Sequence, residues 1–414
     1  MHIVYVTREL PPSLRCGGIG SYVWDISRQI VKCGHNATVI CASDNTRIEE
    51  NKVREGVRII RISGGDFAIP GIELVGNNLL RRYLRTLTRY WSYRKKVANV
   101  LDKFIDNGTV DLVEFPEYGN EAAVWMRRRR NVPMVVRLHT PSTLNRRTAK
   151  RIKCYPWNLF NYIFALREYS QLQYAQAITS CSKALANWVA KDAKINEETI
   201  EIIPNPIDYD GWKIRREYLS NNEGLQIKKV FFAGTVVRAK GAEDLFNAVS
   251  LLTRKRLKIE LTLAGRWGDF GRIIDKRLHQ EAKLREWIKL LGNVSREELR
   301  CHYSNSSIVC FPSWWEAYGI VCIEAMACGA LVLGTSSGGM SEIIEDEVDG
   351  FLVEPKDPVK LADKIEYILS LSEDRKLQIR IKAQEKIKHT FDMKVVLPKM
   401  LQFYEKVISE FKRS

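Results

Sequence analysis

Short apolar runs alternate with segments of helical spacing along the first half of this chain, stop, and then begin again. The runs are Ile3 to Val6, Thr38 to Cys41, Val57 to Ile62, Leu112-Val113, Met134 to Val136, Ala177 to Thr179 and Ile200 to Ile203. Between the first two, Val23, Ile26 and Ile30 recur at helical spacing over Tyr22 to Cys33, and Gly34 marks the stop. Strands that alternate with helices predict a parallel sheet covered by helices.

After Pro204-Asn205-Pro206 a polar interval runs to about Leu225, and the alternation restarts at Val230 to Ala233. It continues through Ile259 to Ala264, Ile288 to Leu291, Ile308 to Phe311, Leu331 to Leu333 and Phe351 to Val353. With 414 residues there is chain for two cores of roughly 200 residues each. The expected organisation is α/β: a doubly wound, Rossmann-like domain over 1–205, a linker over 206–226, a second such domain over 227–390, and a helix over 391–414 packing back on the first. Such sheets bind ligands at the carboxyl ends of their strands, so a cleft between the domains is the expected site.

The N-terminus reads directly as a strand, without a basic leader and cleavage site, and no apolar stretch approaches the ~18 residues of a spanning helix. A cytoplasmic protein is expected. The nine cysteines are odd in number and lack metal-ligand spacing; Cys33, Cys310 and Cys322 sit in apolar runs like core residues. The net charge of +16 is concentrated in two acid-free stretches, seven Lys or Arg in 79–96 and eleven in 122–167. The first mixes Arg81, Arg82, Arg85, Arg89 and Arg94 with Tyr83, Leu84, Leu87, Tyr90 and Trp91. As a helix it could lie peripherally on an anionic membrane, or pack on the sheet with a solvated basic face. No nucleic-acid-binding module is apparent, so nucleic acid is not an expected partner.

The richest stretch runs from Pro312 to Gly339. A strand ends at Phe311, a loop carries Glu316, Tyr318 leads in, and a helix starts near Gly319 and closes before Gly329. Its first turn would present the N–H groups of Gly319, Ile320 and Val321 and the positive end of the helix dipole, an anion site. Glu316 and Glu324 would flank that anion as acceptors for hydroxyl groups. Taken singly, each glutamate could equally be solvated. Upstream, Gly234 to Gly241 turns from a strand into a helix, and Lys240 beside Gly241 can offer a point charge to a phosphate. Gly17-Gly18-Ile19-Gly20 precedes a helix from Ser21, and His139 stands at the end of a strand, where doubly wound domains expose site residues.

On these residues the chain resembles glycosyltransferase family 4. Glu316 and Glu324 match the family's Glu, seven residues, Glu, and Met326-Ala327, Gly329, Thr335 and Gly338-Gly339 fall in its pattern. The resemblance implies a GT-B fold and a retaining transfer from a nucleoside-diphosphate sugar to a glycan, lipid-linked or other hydroxyl acceptor, with no metal and no other cofactor. It places Glu316 and His139 at the transferred sugar, Glu324 at the ribose, and Lys240 on the diphosphate. Gly17 and Gly18 would approach the diphosphate, and Gly265, Arg266, Gly292 and Val294 would lie near the nucleobase. The family's usual cation at position 235 is an Arg; here it is Thr235, and Arg238 is the candidate replacement. Envelope or exopolysaccharide assembly is the pathway this implies. Thr235 also leaves room for an alternative, a GT-B scaffold that binds or regulates without catalysis.

Overall fold

The computed structural model describes residues 1–12, 17–43, 49–64, 79–128, 131–144, 167–214 and 227–413; within the helix at 79–106, the side chains of 79–87 and 89 lie outside the description. Arg81, Arg82, Arg85 and Arg89, most of the basic stretch 122–167 and the linker residues 215–226 therefore fall outside it. The chain forms two compact units, Met1–Pro206 with Val396–Ser414, and Ile207–Val395.

In the first unit the strands are β1 (His2–Val6), β2 (Asn36–Ala42), β3 (Glu50–Arg54), β4 (Val57–Ile62), β5 (Leu112–Pro116), β6 (Met134–Leu138), β7 (Ala177–Ser180) and β8 (Ile200–Ile202). They lie in the order β3-β4-β2-β1-β5-β6-β7-β8. All neighbours are parallel except β3, which runs antiparallel to β4 at the edge. The order reverses between β1 and β5, where Tyr5 faces Val39 on one side and Glu114 on the other. That reversal opens a crevice at the carboxyl ends of β1 and β5.

Helix α1 (Gly18–Lys32) begins earlier than the sequence suggests, so Gly18 to Gly20 form its first turn instead of a loop. It buries Tyr22, Val23, Ile26 and Ile30, one stripe against the sheet. Cys33, expected in the core, is exposed at the end of this helix. Cys310 and Cys322 are buried. Helix α2 (Leu79–Asp106) buries Tyr90, Tyr93, Val97, Ala98 and Leu101. Arg94 is buried as well and donates from Nη2 to the Gly119 carbonyl at 2.6 Å. It therefore does not belong to a solvated basic face. Helix α3 (Lys183–Ala193) is capped by Ser182, whose Oγ accepts from the Leu185 N–H.

The second unit carries β9 (Lys228–Ala233), β10 (Ile259–Ala264), β11 (Ile288–Gly292), β12 (Ile308–Phe311), β13 (Val332–Thr335) and β14 (Phe351–Val353) in the order β11-β10-β9-β12-β13-β14, parallel throughout. Its helices are α4 (Tyr209–Trp212), α5 (Ala242–Arg254), α6 (Asp269–Gln280), α7 (Arg296–Asn305), α8 (Ile320–Ala327), α9 (Met340–Ile343), α10 (Pro358–Ser370) and α11 (Glu373–Thr390). Val230, Phe232, Leu261, Leu263, Cys310 and Leu333 form the buried centre of the sheet, with Leu245, Val249 and Ile365 from the helices packed on it. The expected linker does not begin at 206: α4 buries Tyr209 and Trp212 within this unit, and Ile207 N–H donates to the Phe391 carbonyl at 2.9 Å. Here the strand order reverses between β9 and β12.

The last helix, α12 (Met393–Arg413), passes at Val396 from the second unit to the first. Its Tyr404 is fully buried there, donating to Glu114 Oε2 at 2.6 Å and meeting the Tyr5 hydroxyl at 3.2 Å.

Candidate functional site

At the β9/β12 reversal two loops are drawn together by glycine and by hydrogen bonds. After β9, residues Arg238–Lys240 make one 3-10 turn, and Gly241, with φ +71°, begins α5. A Cβ on Gly241 would lie 1.9 Å from the Pro312 carbonyl oxygen, so only glycine lets this turn approach the end of β12 so closely. The Trp314 N–H donates to the Ala239 carbonyl at 3.0 Å, and its indole N–H donates to Asp244 on α5 at 2.7 Å.

These contacts bring Lys240 to Glu316. The Lys240 ammonium donates to Glu316 Oε2 at 2.6 Å, and Ser313 Oγ donates to the same oxygen at 3.1 Å. The backbone beneath is fixed from β13: Thr335 Oγ1 donates to the Ser313 carbonyl at 2.8 Å, and the Gly339 N–H donates to the Glu316 carbonyl at 2.8 Å. Gly338, at φ +72°, would place a Cβ 2.2 Å from that same carbonyl oxygen.

Helix α8 follows at once. Gly319 adopts φ +97° as its N-cap, and its carbonyl accepts from Cys322 and Ile323. The N–H groups of Gly319, Ile320 and Val321 lie in the first turn, where no preceding helical carbonyl exists for them. Glu324 stands one turn into the helix and is half-buried; Tyr318 is buried, its ring edge-on to Phe391. Arg238 lies in the same turn as Lys240, but its guanidinium is bound to Glu243 of α5.

Three strand ends carry glycines side by side. Gly234 follows β9, Gly265 follows β10 and Gly292 closes β11. Gly265, at φ +129°, donates to the Gly292 carbonyl at 2.6 Å and would place a Cβ 2.1 Å from the Gly234 carbonyl oxygen. Arg266 is exposed beyond them, its carbonyl accepting from Val236 at 2.9 Å, and Val294 is half-buried in the loop after β11.

The remaining candidates lie in the first unit. Gly17 is the N-cap of α1, and its N–H donates to Glu9 Oε2 at 2.7 Å, so a carboxylate already occupies that donor. A Cβ on Gly18 would meet nothing within 4 Å; the chain itself does not demand glycine there. His139 follows β6 and is buried, with its ring edge-on to Tyr22 at 5.3 Å. Burial, with the Arg137 guanidinium nearby, pushes its pKa down to about 3, so the imidazole is neutral at physiological pH. Its ring nitrogens make no hydrogen bond among the described residues.

Beside it stands Glu117, which the sequence reading passed over. Its Oε2 accepts the His139 N–H at 2.8 Å. The signal was available, since Glu117 follows the end of β5 just as His139 follows the end of β6. Ser313, Trp314 and Asp244 were also missed. Trp314 and Asp244 are 70 residues apart, and nothing in either segment announces the contact. Among the described residues, no cluster of His, Cys, Asp or Glu could hold a metal ion, and no helix is long and apolar enough to cross a membrane.

Comparison with known proteins decides the family. Residues 16–210 match the family described as Glycosyltransferase Family 4, and residues 213–386 match Glycosyl transferases group 1. The chain belongs to these glycosyltransferases. An uncharacterized glycosyltransferase of Methanocaldococcus jannaschii is 32% identical over 50% of this chain and 54% of its own length. Among solved structures, sucrose-phosphate synthase from Thermosynechococcus elongatus superposes with a TM-score of 0.78 at 18% identity, over 99% of both chains. HepE from Anabaena, solved in complex with UDP and glucose, gives 0.69 at 17% identity, over 97% of this chain and 99% of that one. The fold of this glycosyltransferase is GT-B.

Proposed function

We propose that this glycosyltransferase moves a sugar from a nucleoside diphosphate to a hydroxyl acceptor, a glycan or lipid-linked saccharide, with retention at the anomeric carbon. The observation that carries the reading is the meeting of Lys240 and Glu316 at the strand-order reversal, directly before the N-terminus of α8. A cation and a row of backbone donors suit a diphosphate, and a carboxylate one loop away suits the hydroxyl groups of the sugar attached to it.

In this reading Lys240 and the N–H groups of Gly319, Ile320 and Val321 meet the charge that develops on the leaving diphosphate, without a metal. Glu316 binds the transferred sugar, Glu324 the ribose, and the glycine row with Arg266 and Val294 the nucleobase. Arg238 would leave Glu243 to add a second cation. From the first unit, Gly17 and Gly18 approach the diphosphate, and neutral His139 offers hydrogen bonds to the sugar. No side chain is assigned as a covalent nucleophile. The acceptor oxygen then attacks from the face the diphosphate leaves, and a diphosphate oxygen takes its proton. The UDP and glucose held by HepE support a nucleotide-sugar donor by analogy of fold.

The two basic stretches support a cytoplasmic protein meeting its acceptor at an anionic membrane surface, in envelope or exopolysaccharide assembly. The test is a panel of UDP-, ADP- and GDP-sugars screened for thermal stabilisation. A ligand at a hundred times its dissociation constant adds ~2.7 kcal/mol. The anomer of the product, read by proton NMR, then decides retention. Absence of stabilisation by any donor, or an inverted product, overturns the proposal.

A further inference from the structure

Two carboxyl groups stitch together the loops that follow β5 and β6. Glu168 accepts from the Gly119 N–H at 2.9 Å, the Ser142 N–H at 2.8 Å and Ser142 Oγ at 2.8 Å, so it spans both loops. Glu117 reaches from the first loop to the second, Oε2 to the His139 N–H. The main chain of Glu117 is itself pinned: its N–H donates to the Arg137 carbonyl at 3.1 Å, and its carbonyl accepts from Gln171 Nε2 at 2.7 Å. The residue is 0% exposed, and its second oxygen, Oε1, is buried without a hydrogen-bond partner among the described residues.

We infer that Glu117 is the positioning residue of His139, holding the main chain at the end of β6 so that the imidazole is presented at one fixed place. This rests on the role proposed for His139. The imidazole packs edge-on to Tyr22 on one side, and its own ring nitrogens anchor it to nothing among the described residues. Its place is therefore set by ring packing and by the backbone it hangs from; Thr140 Oγ1 donates to the His139 carbonyl from the next residue, and the grip from a different strand end is Glu117.

The form of Glu117 that suits this task is the protonated one. An ionised Glu117 would bury a charge beside Glu168 with one oxygen unsatisfied. Burial first, then the neighbouring Glu168, pushes its pKa up to about 8. The other titratable groups that bear on it are neutral His139, whose N–H it accepts, and Tyr169, whose Oη donates to Asp192 of α3 at 2.8 Å. Neither is a cation that could pair with an ionised Glu117. Ionisation in the alkaline range would set the two glutamates against each other and loosen both loops.

The experiment compares Glu117→Gln, Glu117→Ala, His139→Ala and the double variant Glu117→Ala/His139→Ala. The readout is nucleoside-diphosphate release from whichever of UDP-glucose, ADP-glucose and GDP-mannose the wild type consumes, measured from pH 6 to 9.5. Glu117→Gln keeps a neutral acceptor for the His139 N–H and is expected to hold kcat within about threefold at pH 7 while losing the alkaline fall of the wild type. Glu117→Ala is expected to lose at least tenfold in kcat with nucleoside-diphosphate affinity within twofold, and the double variant to be no slower than His139→Ala. Were His139→Ala harmless, the role of His139 and this inference would both fall. A damaging His139→Ala with a harmless Glu117→Ala, losses that multiply in the double variant, or an alkaline limb that survives in Glu117→Gln would overturn the inference alone. If Glu117→Ala does not fold, Glu117→Gln still decides through its pH profile.

Discussion

Lys240 and Glu316 lie 76 residues apart in the chain and meet Nζ to Oε2 at 2.6 Å. Their side chains are 40% and 16% exposed, so as an ion pair they add at most about 1 kcal/mol to stability. The contact joins the two loops at the strand-order reversal, and its value lies in where it holds the two charges.

Lys240→Ala should therefore leave the protein folded while slowing transfer by about 10²- to 10³-fold, the usual effect of removing one preorganised donor from a developing anion. Affinity for the nucleoside diphosphate should fall in parallel. Glu316→Gln should nearly abolish transfer with modest loss of donor affinity. Melting curves and titration calorimetry beside the rate assay separate these outcomes, and unchanged binding would remove Lys240 from the diphosphate.

Gly338 predicts a different pattern. Alanine at φ +72° costs about 1–2 kcal/mol, and a Cβ there would strike the Glu316 carbonyl. Gly338→Ala should lower the melting temperature by several degrees and reduce transfer at least tenfold. Ser336→Ala, at an exposed position bound to Glu354, is the control expected to do neither.

Arg238 is held by Glu243 in an exposed pair, so Arg238→Ala should not measurably change stability. If its guanidinium moves to the diphosphate, the substitution weakens nucleoside-diphosphate binding by about 1.5 to 3 kcal/mol. Adding Thr235→Arg should recover part of that. Flat titrations across the wild type, single and double variants would leave Lys240 and α8 as the whole clamp.

Glu121 gives a pH prediction. It is 2% exposed, and burial pushes its pKa up to about 7 against the partial opposition of Arg8, whose Nε lies 3.0 Å away. The folded protein thus holds this proton where the unfolded chain, near 4.5, has released it. The stabilising contribution is complete below 4.5 and is lost as pH rises towards 7. Urea unfolding of the wild type and Glu121→Gln at pH 4.5, 6 and 7.5 should show the difference between them shrinking or reversing in that direction.

Tyr404→Phe removes the 2.6 Å hydrogen bond to buried Glu114 and leaves that carboxyl with Tyr22 at 3.4 Å. A buried polar group so deprived costs about 1–3 kcal/mol. The urea midpoint of the first unit should fall accordingly, with the second unit unaffected.

The strands were legible because a buried parallel sheet demands near-continuous apolar runs, and each of those runs is a strand in the structure. The exception is β3, Glu50–Arg54, an exposed edge strand with no apolar face to betray it. Helix α1 was read as starting too late because Gly18 and Gly20 look like a loop; the helix nevertheless begins at Gly18, with Gly17 capped by Glu9. At the candidate site, Glu316, Lys240 and the α8 N-terminus could be named from local motifs. The contacts that arrange them could not, because Gly241 against Pro312 and Gly338 against Glu316 are encounters between distant segments.

The passage of α12 from one unit to the other bears on the order of assembly. Residues 207–395 are contiguous, so the second unit has all its parts once that stretch has left the ribosome. The first unit does not, since Tyr404, which satisfies Glu114, is synthesised after the whole of the second. The half of the enzyme made first is thus the half completed last. Until then, its nascent sheet carries a buried carboxyl short of its closest partner and depends on the arrival of the final helix to close its core.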